Sequence, residues 1–159
     1  MKRTDEFAKD MCKQLRILTG VPWSCGRKIG SLREAVDAYG ELGGTPVYIE
    51  VELRRDEPLT NIVKLWRAIE EKHVPKNLIL VHAFSRHYSA NNRRENLHRA
   101  NAEFAGKQMQ QSCGTVYVPL SFPYRPTKGG KVGGDYRRRN AIGLARRVIE
   151  ALKKRKLLN

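Results

Sequence analysis

Three carboxylates in the first third of the chain are spaced so that they could act on one ligand. Glu50 and Glu52 lie two residues apart in residues 47–53, whose strict apolar/polar alternation predicts a strand with both acids on one face. Asp37 lies on the polar face of a preceding alternating segment, residues 32–39, and turn-forming residues 40–46 separate the two. We therefore expect a β-hairpin on which the three carboxylates converge.

A cluster of this kind offers the oxygen ligands that hard divalent cations prefer. Like charges placed together in a sheet repel each other unless a cation compensates them, and carboxylates suit Mg²⁺ or Mn²⁺. The alternative is a solvated hairpin face, on which the acids pair with Arg33, Arg54 or Arg55 at under about 1 kcal/mol for each pair. We interpret Asp37, Glu50 and Glu52 as a metal site.

The elements that must position these acids follow from hydrophobic periodicity. The pattern predicts the order α, β-hairpin, α, β, α, β, α in a single domain over residues 1–159. Residues 122–135, rich in Gly, Pro, Lys and Arg, are predicted to form a mobile basic loop. The predicted helices cover 4–18, 56–72, 91–111 and 140–157, and the predicted strands cover 32–39, 47–53, 77–84 and 115–120.

Asp37 is followed, after twelve residues, by Glu50-Val51-Glu52. This spacing resembles the motif of the PD-(D/E)xK, or restriction-endonuclease-like, nuclease superfamily. The resemblance extends from the first helix to the strand at residue 115. It implies an α/β fold with an αβββαβ core, a mixed central sheet and flanking helices. It also implies Mg²⁺- or Mn²⁺-dependent hydrolysis of phosphodiester bonds in nucleic acid, with DNA favoured over RNA. The chain differs from the usual motif at Val36, where a Pro is usual, and at Glu52, where a Lys is usual.

The resemblance also assigns roles to the residues around the motif. Some members carry the missing Lys on the helix after the motif strand, and Lys64 occupies such a position. Asp37 and Glu50 would then bind metal, Glu52 would complete the metal shell or orient the attacking water, and Lys64 would stabilise charge on the phosphate. A solvated lysine on the helix surface is the alternative for Lys64.

The net charge of +15 favours a polyanionic partner. Residues 104–159 hold thirteen Lys and Arg against two acids, so the basic residues cluster instead of alternating with acids. The alternative is a merely solubilising surface. The predicted nucleic-acid contacts are Arg54, Arg55, Lys128, Lys131, Arg137, Arg138 and Arg139.

Other classes of function find less support. No apolar run suggests a signal peptide or a membrane span, so we expect a cytoplasmic protein that does not bind membranes. Cys12, Cys25 and Cys113 form no Cys-x-x-Cys pair, and the histidines lack zinc-ligand spacing. Two alternatives stay open: a catalytically inactive nuclease-fold module that binds nucleic acid, and one that binds an acidic protein partner. A homodimer that cuts both strands is also open.

Overall fold

The computed structural model describes residues 3–54, 57–89, 91, 93–126 and 133–158. Within these residues α1 is followed by three consecutive strands, after which helices and strands alternate, and a short 3₁₀ turn at Arg86–Tyr88 follows the fourth strand. The helices are α1 (Arg3–Thr19), α2 (Leu59–Glu70), α3 (Arg93–Cys113) and α4 (Gly134–Lys154). The strands are β1 (Trp23–Lys28), β2 (Ala35–Leu42), β3 (Thr45–Glu52), β4 (Ile79–Phe84) and β5 (Val116–Ser121).

The five strands form one mixed sheet in the order β1-β2-β3-β4-β5. Strands β1, β2 and β3 pair antiparallel, whereas β3, β4 and β5 pair parallel through helical connections. The carboxyl ends of the three parallel strands therefore lie along one edge of the sheet. The predicted α/β class, with a mixed sheet flanked by helices, is confirmed.

Each face of the sheet carries its own hydrophobic core. Helices α1 and α4 pack against each other and cover one face, where Phe7 and Leu144 join Ile49 and Val81. Helices α2 and α3 cover the opposite face, and the residues packed there include Ile62, Leu65, Leu80, Phe84, Met109 and Tyr117. Strand β4 is buried along its whole length, as its continuous apolar run predicts.

The β2–β3 hairpin turns within two residues. Gly43 and Gly44 both have positive φ, +56° and +80°, and the pair Leu42 and Thr45 closes the turn. Only glycine adopts two successive positive φ values readily, and such a turn matches the natural twist of a hairpin. The turn is tighter than the predicted 40–46, so β2 runs on to Leu42.

Two further elements differ from the sequence-based expectation. Strand β1 was not predicted, because this edge strand buries little beyond Trp23 and so shows no alternation of apolar residues. Helix α4 begins at Gly134 instead of residue 140, with Asp135 in its first turn, where an acid interacts favourably with the helix dipole. The predicted loop is therefore shorter, and its residues 127–132 lie outside the described part of the chain.

None of the helices among the described residues is both long enough and apolar enough to span a membrane.

Candidate active site

Glu50 and Glu52 point from β3 into the layer that α2 and α3 cover. Their neighbours along the strand, Ile49 and Val51, face the opposite core, as strand alternation requires. Both acids are almost completely buried, with exposed fractions of 2% for Glu50 and 1% for Glu52. Buried carboxylates at this depth need charge or hydrogen-bond partners, and the two acids find different ones.

Asp37 is held at the point where the β2–β3 backbone pairing ends. The two strands pair as far as Ala38 and Ile49. Asp37 directly precedes Ala38, and its Oδ2 accepts a hydrogen bond of 2.7 Å from the backbone N–H of Val51. This contact places the half-buried Asp37 carboxylate next to the strand that carries Glu50.

Lys64 reaches the same place from α2. Its ammonium lies 2.6 Å from Glu50 Oε1 and donates a hydrogen bond of 2.8 Å to the carbonyl oxygen of Ala35. Glu50 is almost completely buried, so its ion pair with Lys64 is shielded from water. The structure thus brings Asp37, Glu50 and Lys64 together.

The electrostatics of this group are dominated by Glu50. Burial raises the pKa of Glu50 well above its ordinary value, and the negative charge of Asp37 raises it further. Lys64 acts in the opposite direction and lowers this pKa, but it does not offset the other effects. A single ammonium therefore does not offset the effects of burial and of Asp37 on the Glu50 carboxyl.

Glu52 belongs to a separate, fully buried network. Its Oε1 accepts a hydrogen bond of 2.5 Å from Asn61 Nδ2 and lies 2.8 Å from His82 Nε2. His82 Nδ1 in turn lies 3.1 Å from the hydroxyl of Tyr117. The network joins β3, α2, β4 and β5, and the Glu52 carboxylate points into the core of the protein.

The predicted three-carboxylate metal shell is therefore divided. Within the described part of the chain, no three Asp, Glu, His or Cys side chains are arranged so that they could hold a metal ion. Asp37 and Glu50 still fit a divalent cation, because they are neighbouring carboxylates whose repulsion and burial the Lys64 ammonium does not offset. Glu52 fits poorly, because Asn61 and His82 already contact its Oε1. Its role as a metal ligand stays a prediction.

The predicted nucleic-acid contacts have different surroundings. Arg54 follows β3 and is exposed, while Arg138 and Arg139 are exposed in the first turns of α4. Arg137 instead forms ion pairs with Glu6 and with Asp10, so it ties α4 to α1. Three of the predicted contacts, Arg55, Lys128 and Lys131, lie outside the described residues.

The sequence reasoning missed Asn61, His82 and Tyr117. His82 carried a usable signal, because it is the one ionisable residue in the apolar run of β4, and such a residue needs a buried partner. Strand register places His82 beside Glu50, but its ring contacts Glu52. Asn61 and Tyr117 carried no signal that could be recognised without knowing the packing of α2 and β5 against β3.

Chemically, the site pairs two acids with an ammonium. No family model, curated protein or solved structure matches the chain. An adjacent carboxylate pair can hold a divalent cation, and an ammonium beside it can stabilise an anion.

Proposed function

We propose that this protein is a Mg²⁺- or Mn²⁺-dependent nuclease of the PD-(D/E)xK type that hydrolyses phosphodiester bonds, with DNA as the favoured substrate. The observation that carries the proposal is the group of Asp37, Glu50 and Lys64, held together by β2, β3 and α2. The order of the first six elements, αβββαβ, agrees with the core that the family resemblance implies.

In this proposal Asp37 and Glu50 hold the metal. A divalent ion bound there would polarise the scissile phosphate and lower the pKa of the attacking water. The hydrogen bond from Val51 to Asp37 fixes one carboxylate, and the ion pair with Lys64 fixes the other. Both ligands are therefore positioned before substrate arrives, which lowers the reorganisation that catalysis requires.

Lys64 supplies the positive charge that the usual motif lysine would provide. The chain has Glu52 at that motif position, and Lys64 approaches Glu50 from the neighbouring helix instead. An ammonium at this place can stabilise negative charge that develops on the phosphate oxygens. Only 13% of the Lys64 side chain is exposed, so water screens its charge less than at the surface.

Glu52 acts in this proposal as a positioning residue. Its contact with Asn61 anchors α2 to β3 one helical turn before Lys64. The contact with His82 fixes Glu52 from the other side. The network therefore sets the distance between α2 and the strand that carries Glu50.

A second candidate function is a non-catalytic module of the same fold that binds nucleic acid or an acidic protein. The observation in its favour is the Lys64–Glu50 ion pair, which already places a positive charge on the buried acid without any metal. The charge of +15 suits polyanion binding with or without cleavage.

A cleavage assay separates the two functions. End-labelled single-stranded, duplex and branched DNA and single-stranded RNA would be incubated with Mg²⁺, Mn²⁺ or a chelator. We expect metal-dependent cleavage that Glu50→Gln abolishes and that Lys64→Gln lowers by about 100-fold, as for loss of one stabilising donor. Glu41→Gln is the matched control, because Glu41 is exposed on β2.

Cleavage that survives Glu50→Gln would refute the assignment of the site. Binding that weakens steeply with salt, without cleavage by any combination of metal and substrate, would favour the non-catalytic module. Circular dichroism of each variant would establish that it is folded.

A further inference from the structure

A pocket of about 280 Å³ opens at the carboxyl ends of β4 and β5, apart from the Asp37–Glu50 pair. Phe122 and Pro123 form its apolar wall. Its polar lining consists of Ser85, Arg86, Ser89, Arg99, Ser121 and Arg147. Three guanidinium groups and three hydroxyls around one small cavity are the donors with which proteins bind phosphate.

The charge of this arginine pocket is only partly compensated. Arg99 forms an ion pair of 2.6 Å with Glu103 and lies over the ring of Phe84, at 4.7 Å from its centroid. Arg86 and Arg147 are exposed, and no carboxylate among the described residues pairs with either one. The pocket therefore keeps an excess of two positive charges.

The hydroxyls differ in what they can donate. Ser85 Oγ donates to the carbonyl oxygen of Leu53 at 2.5 Å, so its hydrogen is already used. Ser121 Oγ accepts a hydrogen bond of 2.7 Å from Arg99, which leaves the Ser121 hydrogen for a ligand. Arg99 is thus positioned by both Ser121 and Glu103, with its guanidinium held at the pocket.

We propose that this pocket binds the terminal phosphate monoester of a nucleic-acid strand. An excess of two positive charges matches a phosphate monoester, which carries about −1.5 to −2 at pH 7, better than it matches a diester with one negative charge. Phe122 and Pro123 also bound the pocket on its apolar side, which suits a chain end.

The position of the pocket connects it to the candidate active site. The backbone N–H of Ser85 donates to the carbonyl oxygen of Glu52 at 2.9 Å, so the pocket begins beside the end of β3. Strands β3 and β5 are separated by two strand spacings, roughly 10 Å. The inference rests on the proposed nuclease function in one respect. A strand end held in the pocket would place a phosphodiester bond a few nucleotides from that end at Glu50, where the proposed nuclease would cleave it.

Equilibrium binding in a chelator tests the pocket without any cleavage. Fluorescently labelled single-stranded oligonucleotides of one sequence would carry a 5′ phosphate, a 3′ phosphate or no phosphate. We expect wild type to bind one phosphorylated form about ten-fold more tightly than the unphosphorylated form, as for a charge-assisted contact. The comparison of the 5′ and 3′ forms identifies the end that is bound.

Two double variants with the same loss of charge distinguish binding in the pocket from the effect of the overall charge. Arg86→Gln with Arg147→Gln should bring the ratio of affinities to about one. Arg94→Gln with Arg146→Gln removes the same charge from exposed positions on α3 and α4 outside the pocket, and it should leave the ratio unchanged. Thermal unfolding of both double variants checks that they are equally folded.

Equal affinity of wild type for all three oligonucleotides, or an equal ratio in the two double variants, would overturn the inference. A phosphate-dependent ratio in a protein that cleaves nothing would support the pocket while the nuclease proposal fails. Metal-dependent cleavage by a protein whose ratio is one would refute the pocket alone.

Discussion

At the scale of single residues, Glu50 is the least stable ionised group of the candidate site. It is buried, Asp37 is close enough to raise its pKa, and Lys64 is its charge partner. A protein gains nothing in folding stability from such an arrangement, because ionisation of Glu50 is easier in the unfolded chain. This is the pattern expected where a site is shaped for a ligand and not for stability.

This imbalance predicts how stability depends on pH without metal. The folded protein holds the Glu50 proton more tightly than the unfolded chain, so wild type loses stability as pH rises from about 4.5 through the raised pKa. Glu50→Gln cannot ionise. The melting temperature of the variant minus that of wild type should therefore increase between pH 4 and pH 8. The increase should be about 2–4 °C for each kcal/mol of folding free energy that wild type loses over this range.

Thermal unfolding in a chelator measures this difference. The control is Glu41→Gln, whose difference from wild type should stay nearly constant with pH because Glu41 is exposed. A melting-temperature difference for Glu50→Gln that stays flat, or that decreases toward pH 8, would contradict the raised pKa of Glu50.

At the scale of elements, helices α2 and α3 determine where the polar side chains meet. Asn61 and Lys64 are three residues apart and share the face of α2 that faces β3, so one contacts Glu52 and the other Glu50. On the other side, Gly106 lets α3 approach β5: a Cβ at Gly106 would lie 2.4 Å from the ring of Tyr117. The position of Tyr117 in the buried network therefore depends on a glycine.

Gly106→Ala should consequently destabilise the protein, by about 1–3 kcal/mol, because the Tyr117 ring must move or α3 must shift. Chemical denaturation would measure the loss. Gly143→Ala on α4 is the matched control: a Cβ there meets nothing within 4 Å, so the helix should gain about 0.5–1 kcal/mol. If Gly106→Ala stabilises the protein as Gly143→Ala does, the close α3–β5 contact is not rigid.

The sequence predicted the elements whose periodicity is strong. Helix α1, strand β3 and strand β4 lie close to their predicted positions, because each has a continuous apolar face. Strand β1 was not predicted, because an exposed edge strand needs no continuous apolar face. Glu50 and Glu52 on β3 were expected to bind the same metal ion. Strand alternation, however, determines only the face of the sheet on which a side chain lies. The partners of Glu50 and Glu52 depend on α2 and β4, which are distant in sequence.

At the scale of the whole molecule, the basic residues of α4 lie in clusters at its two ends and near its middle. Arg138 and Arg139 lie in its first turns, near the carboxyl edge of the sheet, because Tyr136 stacks on Tyr124 just after β5. Lys153 and Lys154 lie at the opposite end of this 21-residue helix, roughly 22 Å away at 1.5 Å for each residue.

This distribution predicts which basic residues contact nucleic acid. Arg138→Gln with Arg139→Gln should weaken binding and lower the slope of log affinity against log salt concentration by about one for each lost phosphate contact. Lys153→Gln with Lys154→Gln removes the same charge and should change the slope less. Binding isotherms between 50 and 200 mM salt, roughly the range in which such contacts are lost, measure both slopes. Equal slopes for the two variants would mean that α4 does not bind with its first turns.

We propose that Asp37 and Glu50, without Glu52, hold the divalent ion that hydrolysis requires. Electron paramagnetic resonance of free Mn²⁺ during a titration measures this binding directly. We predict that wild type, Glu41→Gln and Glu52→Gln bind Mn²⁺ with similar affinity. Asp37→Asn and Glu50→Gln should each weaken binding by at least about ten-fold, as for disruption of a metal shell. Equal Mn²⁺ binding by wild type, Asp37→Asn and Glu50→Gln would contradict a metal site at Asp37 and Glu50.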